Sequence, residues 1–285
     1  MLPNPLFLNV HMYGIMIAVG ILFAFLVLFR YSKVLKLNGK LTDLVYYDGV
    51  FSILLGFGAA ALFQATYNYI EYPEEGFNLG SGITFLGGIL GGTVVFLIIW
   101  LIFRKKVKGS LFDIMPVIPC MITIGHAFGR VGCFFAGCCY GKPTDSIFGV
   151  QFPGAYFESI GKVHPTQLYE AVFLFALFGV LTWLLLKKKC PYTMSVYLVS
   201  YGVFRFFIEY LRGDDRGQLA KYLSPSQVWS LLFLVLGVGV FFLQRQYQKT
   251  RQEAEPAVTG EPEDKTDGLS SDMEETNAGE NHTEE

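Results

Sequence analysis

Seven stretches long and apolar enough to cross a bilayer, with basic residues in every second loop, constrain this chain more than any other feature. A span needs roughly 20 mostly apolar residues, and the stretches fall at about 13–29, 44–69, 83–103, 111–128, 167–186, 192–211 and 226–243. In hydrocarbon the backbone must satisfy its own amides, so such stretches are helices. The expected fold class is therefore all-α, a polytopic membrane protein. The first stretch reads as a span and not as a cleavable signal, because no basic segment precedes it and no small-residue cleavage site follows. Arg30, Lys33, Lys36 and Lys40 follow the first span, Arg104, Lys105, Lys106 and Lys108 the third, Lys187, Lys188 and Lys189 the fifth, and Arg245 and Lys249 the seventh. The loop after the second span carries Glu71, Glu74 and Glu75 instead. Basic loops stay in the cytoplasm, which places the N-terminus outside and the C-terminus inside.

Charge divides the chain in two. Residues 251–285 hold 12 acids and 2 bases, a net of −10, which leaves +8 in the first 250 residues against −2 for the whole. The acidic end is rich in Glu, Asp, Thr, Gly and Ser and has almost nothing to bury, so it reads as disordered. The expected organisation is a membrane domain over 1–248, with a long outer loop at 129–165, and a cytoplasmic tail over 249–285. Glycines at 56, 58, 87, 88, 91 and 92, in small-xxx-small spacing, read first as close helix packing.

Ionisable residues inside a span are functional candidates, because an unpaired charge in hydrocarbon is costly. Tyr201, Arg205, Glu209 and Arg212 are spaced 4, 4 and 3 apart, one polar stripe on a helix face. An Arg205–Glu209 pair that only fixes packing accounts for one arginine but not for the stripe. Arg212, nearer the water, is expected to matter less than Arg205. A second cluster runs from Gly129, Arg130, Gly132 and Cys133 through Gly137, Cys138, Cys139, Tyr140 and Gly141, with His126 four residues before Arg130. Glycines let backbone approach a ligand closely, and a guanidinium matches phosphate with planar, paired donors. Arg130 and Arg205, from separate spans on the outer side, form a candidate clamp for a lipid phosphate. The third cluster, His164 to Glu170, opens the fifth span, where His164 is either a base or a structural cap.

In order along the chain, these clusters resemble the bacterial prolipoprotein diacylglyceryl transferase family. The resemblance starts at Tyr13-Gly14 and takes in Thr84-Phe85-Leu86-Gly87-Gly88. It continues through the Gly129–Gly141 signature around Arg130 and the stretch from Phe148 to Pro153, and ends with His164–Glu170 and Tyr201–Arg212. It implies seven spans in a bacterial cytoplasmic membrane. It also implies transfer of the diacylglyceryl group of phosphatidylglycerol to the lipobox cysteine of a prolipoprotein, with release of glycerol phosphate. Tyr13, Tyr201, Gly129, Gly132, Gly141 and Glu209 then join Arg130 and Arg205 around the lipid, and His126, His164, Arg130 and Arg205 carry the chemistry. No cofactor, metal or nucleic acid is required.

Three positions depart from the family's usual residues: Leu86 for a histidine, Cys133 for an asparagine and Cys138 for a glutamate. A leucine cannot move a proton, so the base must lie elsewhere. Of the four histidines, His11 is expected in solvent and His282 in the tail, leaving His126 and His164, with His126 favoured because one turn brings it beside Arg130. The departures keep open a paralogous phospholipid-dependent transferase with another acceptor. Cys133, Cys138 and Cys139 also keep open an outward-facing thiol–disulfide or metal-binding protein. Their spacing fits no usual zinc pattern, a Cys133–Cys138 disulfide is possible outside the cell, and under the transferase reading the thiols shape the pocket without reacting.

Overall fold

The structure, a computed structural model, describes residues 11–82, 84–213 and 223–258, with only the backbone of Glu75, Phe85, Leu86 and 254–258. The expectations for the acidic tail, for His282 and for the Leu86 side chain lie outside the described residues. The chain divides into two compact units, Met1–Tyr247 and Gln248–Glu285.

The described residues are helical, with isolated bridges but no strand: α1 Met12–Val34, α2 Gly39–Glu71, α3 Phe85–Phe103, α4 Leu111–Ile114, α5 Ile118–Ala136, α6 Ala155–Ile160, α7 Thr166–Leu186, α8 Thr193–Ile208 and α9 Pro225–Val258. Six of them, α1, α2, α3, α5, α7 and α9, are long and apolar enough to cross a membrane. Their outward faces are apolar as well: Leu54, Ile70, Val172 and Val235 are more than half exposed, a surface suited to lipid and not to water. This is a multi-pass membrane protein. The sequence stretch at 192–211 becomes a shorter helix, α8, of 16 residues, continued by a 3-10 turn over Glu209–Leu211.

The fourth stretch is where sequence and structure part most. Ser110 and Asp113 form a capping box that starts α4, but α4 ends after one turn at Ile114. Pro116 lacks the N–H needed to continue, and its carbonyl is taken by the Thr193 hydroxyl at 2.8 Å. The helix restarts as α5, with proline in its first turn, and runs on to Ala136. The segment expected to begin the outer loop at 129 is therefore helical, and the loop begins only after Ala136. Glycines read as loop residues sit inside a helix that its neighbours hold.

Close approaches set the frame. A Cβ on Gly20 of α1 would lie 2.8 Å from the Gly125 carbonyl of α5. Gly56 of α2 faces Gly88 and Gly92 of α3 in the same way, whereas Gly58 faces open space. Leu28, Ile124, Ala127, Leu174, Leu177 and Leu181 close the core between α1, α5 and α7. The loop after α5 is packed too: Phe152 is buried against Phe134, Tyr140 and Phe157.

Candidate active site

Two linked polar clusters form where α5, α7 and α8 meet. In the first, Arg130 Nε donates to His126 Nε2 at 3.3 Å, as the one-turn spacing predicts, and lies 3.0 Å from Glu170 Oε1. His126 Nε2 is itself 3.5 Å from that oxygen. The Tyr201 hydroxyl donates to the same Oε1 at 2.8 Å, and its ring lies edge-on to His126. Glu170 is thus the hub of the cluster. Its motif, His164 to Glu170, singles out His164 in the sequence, although an acid inside a span is the stronger signal.

The second cluster lies one helical turn along α8. Arg205 Nη1 pairs with Glu209 Oε2 at 2.9 Å, and its Nη2 donates to Ser226 Oγ at 2.9 Å. Ser224 Oγ donates to Glu209 Oε1 at 2.9 Å, and Arg212 Nε lies 3.8 Å from Glu209 Oε2. Tyr201 and Arg205 are buried, and Arg205 lies within electrostatic reach of Glu170, so the clusters form one network. Arg212 corrects an expectation. It is not hydrated but 6% exposed, because the 3-10 turn carries it off the helix into a bridge with Gly141.

Arg130 has a further property. Among the described residues, its hydrogen bond and its ion pair both run through Nε. Nη1 and Nη2 remain to meet an oxyanion with the two parallel bonds a guanidinium favours.

The other expected site residues divide. Gly132 seats Tyr13: a Cβ there would lie 3.1 Å from the Tyr13 ring, and Tyr13 is within electrostatic reach of Arg130. A Cβ on Gly129 would meet nothing within 4 Å. Gly141 is a packing glycine, whose Cβ would collide with the Leu211 carbonyl, His164 and Thr166. His164 is anchored by other partners than those of the first cluster. Its Nδ1 lies 3.3 Å from the Tyr169 hydroxyl, its N–H donates to the Lys142 carbonyl, and its carbonyl accepts the Gly141 N–H. Thr84 of the third-span motif donates its hydroxyl to Gln64 of α2.

The three cysteines meet at the end of α5. Gly137 takes the left-handed conformation, its N–H bonds to the Phe134 carbonyl, and the Cys138 N–H bonds back to the Cys133 carbonyl. This double bond pattern is a Schellman end, and it folds Cys138 onto the turn that bears Cys133. The thiols of Cys133 and Cys138, and more weakly Arg212, hold the Cys139 thiol below its ordinary range. None of the five cysteines, all among the described residues, is in a disulfide.

A membrane helix bundle with three largely buried guanidinium groups, one with both Nη atoms unengaged among the described residues, suits an anionic ligand. The model of the prolipoprotein diacylglyceryl transferase family matches residues 4–243. The chain is 36% identical over 241 residues to a phosphatidylglycerol–prolipoprotein diacylglyceryl transferase of Clostridium tetani, covering 84% of this chain and 94% of that protein. It is 31% identical over 244 residues to the protein named as the second such transferase of Clostridium perfringens, covering 84% and 92%. It is 33% identical over 258 residues to a protein of the same name from Pseudoalteromonas translucida, covering 85% and 92%. The chain belongs to the prolipoprotein diacylglyceryl transferase family.

Proposed function

We propose that this protein transfers the diacylglyceryl group of phosphatidylglycerol to the lipobox cysteine thiol of a prolipoprotein and releases glycerol phosphate. Besides family membership, the observation that carries this reading is Arg130, whose Nε is fixed by Glu170 while Nη1 and Nη2 stay available. The acceptor sulfur forms a bond to the glycerol carbon that bears the phosphate, the C–O bond breaks, and the electron pair leaves on the phosphate. Arg130 and Arg205 stabilise that growing charge. Tyr13, Tyr201, Gly129, Gly132 and Glu209 shape and hold the lipid site, Gly141 and His164 its rim, and His126 takes the thiol proton. Incubation of the purified protein with labelled phosphatidylglycerol and a lipobox peptide is expected to give lipidated peptide and free glycerol phosphate. Neither product forming would end this reading.

The setting belongs to the same proposal: a bacterial cytoplasmic membrane, a membrane domain over 1–248, and a cytoplasmic tail over 249–285. α8 with its 3-10 turn supplies the seventh crossing, and the N-terminus lies outside. A reporter active only outside the cytoplasm is expected to work when fused after Glu74 and to fail after Lys106 or Lys188. The reverse pattern would invert the orientation and put the arginine site on the wrong side for a secreted acceptor.

His126 offers a second test. Its replacement by Gln is expected to lower transfer sharply at neutral pH and to recover in part at alkaline pH. There the acceptor thiol, with an ordinary pKa of about 8.5, ionises unaided. An equal loss at every pH would make His126 a positioning group for Arg130.

A further inference from the structure

The end of α5 gathers three soft ligands beside the arginine site, and the chain goes to some length to do so. The Sγ atoms of Cys133, Cys138 and Cys139 all lie within 4.8 Å of one another. The Schellman end turns Cys138 back, and Cys139 adopts a left-handed backbone with φ 63°. That conformation is strained for a non-glycine residue, and it directs the third thiol toward the other two. The first turn of α7 fixes the arrangement: Gln167 Nε2 donates to the Cys138 carbonyl at 2.6 Å and Thr166 Oγ1 to the Cys139 carbonyl at 2.8 Å. The linear order of these cysteines fits no usual zinc pattern, but folding makes the spacing irrelevant.

Three thiolates around zinc at about 2.3 Å stand roughly 4 Å apart, so the gathered thiols need only a small contraction to hold an ion. A disulfide would join two sulfurs at about 2.05 Å and leave the third without a reason to be there. Sulfur ligands select zinc or another thiophilic ion over magnesium or calcium. Arg130 lies one turn from Cys133 and is within electrostatic reach of Cys133 and Cys139, which offsets the negative charge of the ligands. Cys138 lies on the exposed side of the group.

We propose that Cys133, Cys138 and Cys139 bind a zinc-class divalent cation whose fourth position receives the acceptor thiol as a thiolate. This deepens the transferase reading and rests on it. A metal site with three protein ligands keeps one position for substrate, and a thiol bound to such an ion is deprotonated outright. The acceptor sulfur takes the fourth position in place of a water, its proton passes to His126 as in the transferase reading, and the sulfur stays bound. The sulfur then forms its bond to the glycerol carbon as the C–O bond to phosphate breaks. The product is a neutral thioether, a poorer ligand than a thiolate, and it departs. The arrangement also answers two features of the chain. Leu86 supplies no base, and the His126 Nε2 lone pair already accepts from Arg130, so a metal that acidifies the thiol lightens the demand on the histidine.

The test uses the full chain, purified in detergent and reduced, with zinc and with cobalt as a spectroscopic substitute. One ion per chain and a thiolate-to-cobalt charge-transfer band are expected. Cys133→Ser, Cys138→Ser and Cys139→Ser should each weaken binding by at least about tenfold, the cost of losing even an outer-shell partner. Cys190→Ser, remote from the cluster, should bind as the parent does. A lipobox peptide should shift the cobalt spectrum, and the same peptide with serine for cysteine should not. Chelation should slow transfer at least about tenfold and added zinc should restore it. Absence of the charge-transfer band, a Cys133–Cys138 disulfide trapped in protein isolated without reductant, or full transfer after chelation would each overturn the proposal. The cobalt measurements need no lipid. Binding through the three thiols with a response to the peptide thiol, but no transfer, would support the metal site and overturn the transferase reading instead.

Discussion

Arg130→Ala and Arg205→Ala are each expected to abolish measurable diacylglyceryl transfer while the protein still inserts into the membrane. Removing one donor aimed at developing charge costs on the order of 10²–10³ in rate; Arg130 offers two such donors, Nη1 and Nη2, and Arg205, held by Glu209 and Ser226, adds a second buried positive charge. The loss has a second source at Arg130. Its Nε holds Glu170 at 3.0 Å and His126 at 3.3 Å, so the alanine variant also leaves a buried carboxylate without its ion pair, beside only the Tyr201 hydroxyl and His126. Arg205→Ala is milder for the surroundings, because Glu209 keeps Ser224 and Arg212. Lysine at either position should recover little. One ammonium cannot hold the carboxylate and present two parallel donors to a phosphate at once. The measurement is transfer to a lipobox peptide at matched protein levels, with membrane insertion followed separately. Full activity in Arg130→Ala would be incompatible with the clamp.

The membrane character and the first polar pair were legible because they depend on local pattern. Apolar length gives spans, and four residues put His126 beside Arg130 in any helix. What was missed depends on contacts distant in sequence. The expected span at 111–128 slid onward because Pro116 and the capping box at Ser110 break it early, and a hydropathy window does not see a one-turn helix. A helix face continued through Tyr201, Arg205, Glu209 and Arg212 leaves Arg212 near water. The chain leaves that face through a 3-10 turn and tucks Arg212 against Gly141, whose lack of a side chain makes room. Linear spacing gives the cysteines no usual zinc pattern, while a left-handed Gly137 and a left-handed Cys139 bring their sulfurs together. Glu170 was visible as an acid in a span, but that one of its oxygens serves Arg130, Tyr201 and His126 together follows only from the packing of α5, α7 and α8.

That convergence makes Glu170 the strongest positioning residue to test. Glu170→Gln is expected to lower kcat/KM for phosphatidylglycerol by about 10²-fold, the cost of a misplaced reacting group. The variant keeps the size of the side chain and an oxygen for the Tyr201 hydroxyl, so the packing of the first turn of α7, where Glu170 is 1% exposed, should survive. It removes the charge. Arg130, largely buried beside it, loses its ion pair, and stripping one partner from such a pair costs about 3–5 kcal/mol. The guanidinium relieves that cost by turning toward any other acceptor, which takes Nη1 and Nη2 out of line with the phosphate. Glu170→Asp keeps the charge but draws it back by one methylene, so its activity should fall between the parent and the glutamine variant. The split between constants separates positioning from mere stability. A displaced Arg130 raises KM for the lipid and lowers kcat together, because the same two nitrogens meet the phosphate in the ground state and in the transition state. A purely structural Glu170 would lower the temperature of unfolding and leave both constants unchanged below it. Parent-like kinetics in Glu170→Gln would mean that Arg130 holds its place without the carboxylate, and the hub would then be a feature of packing alone.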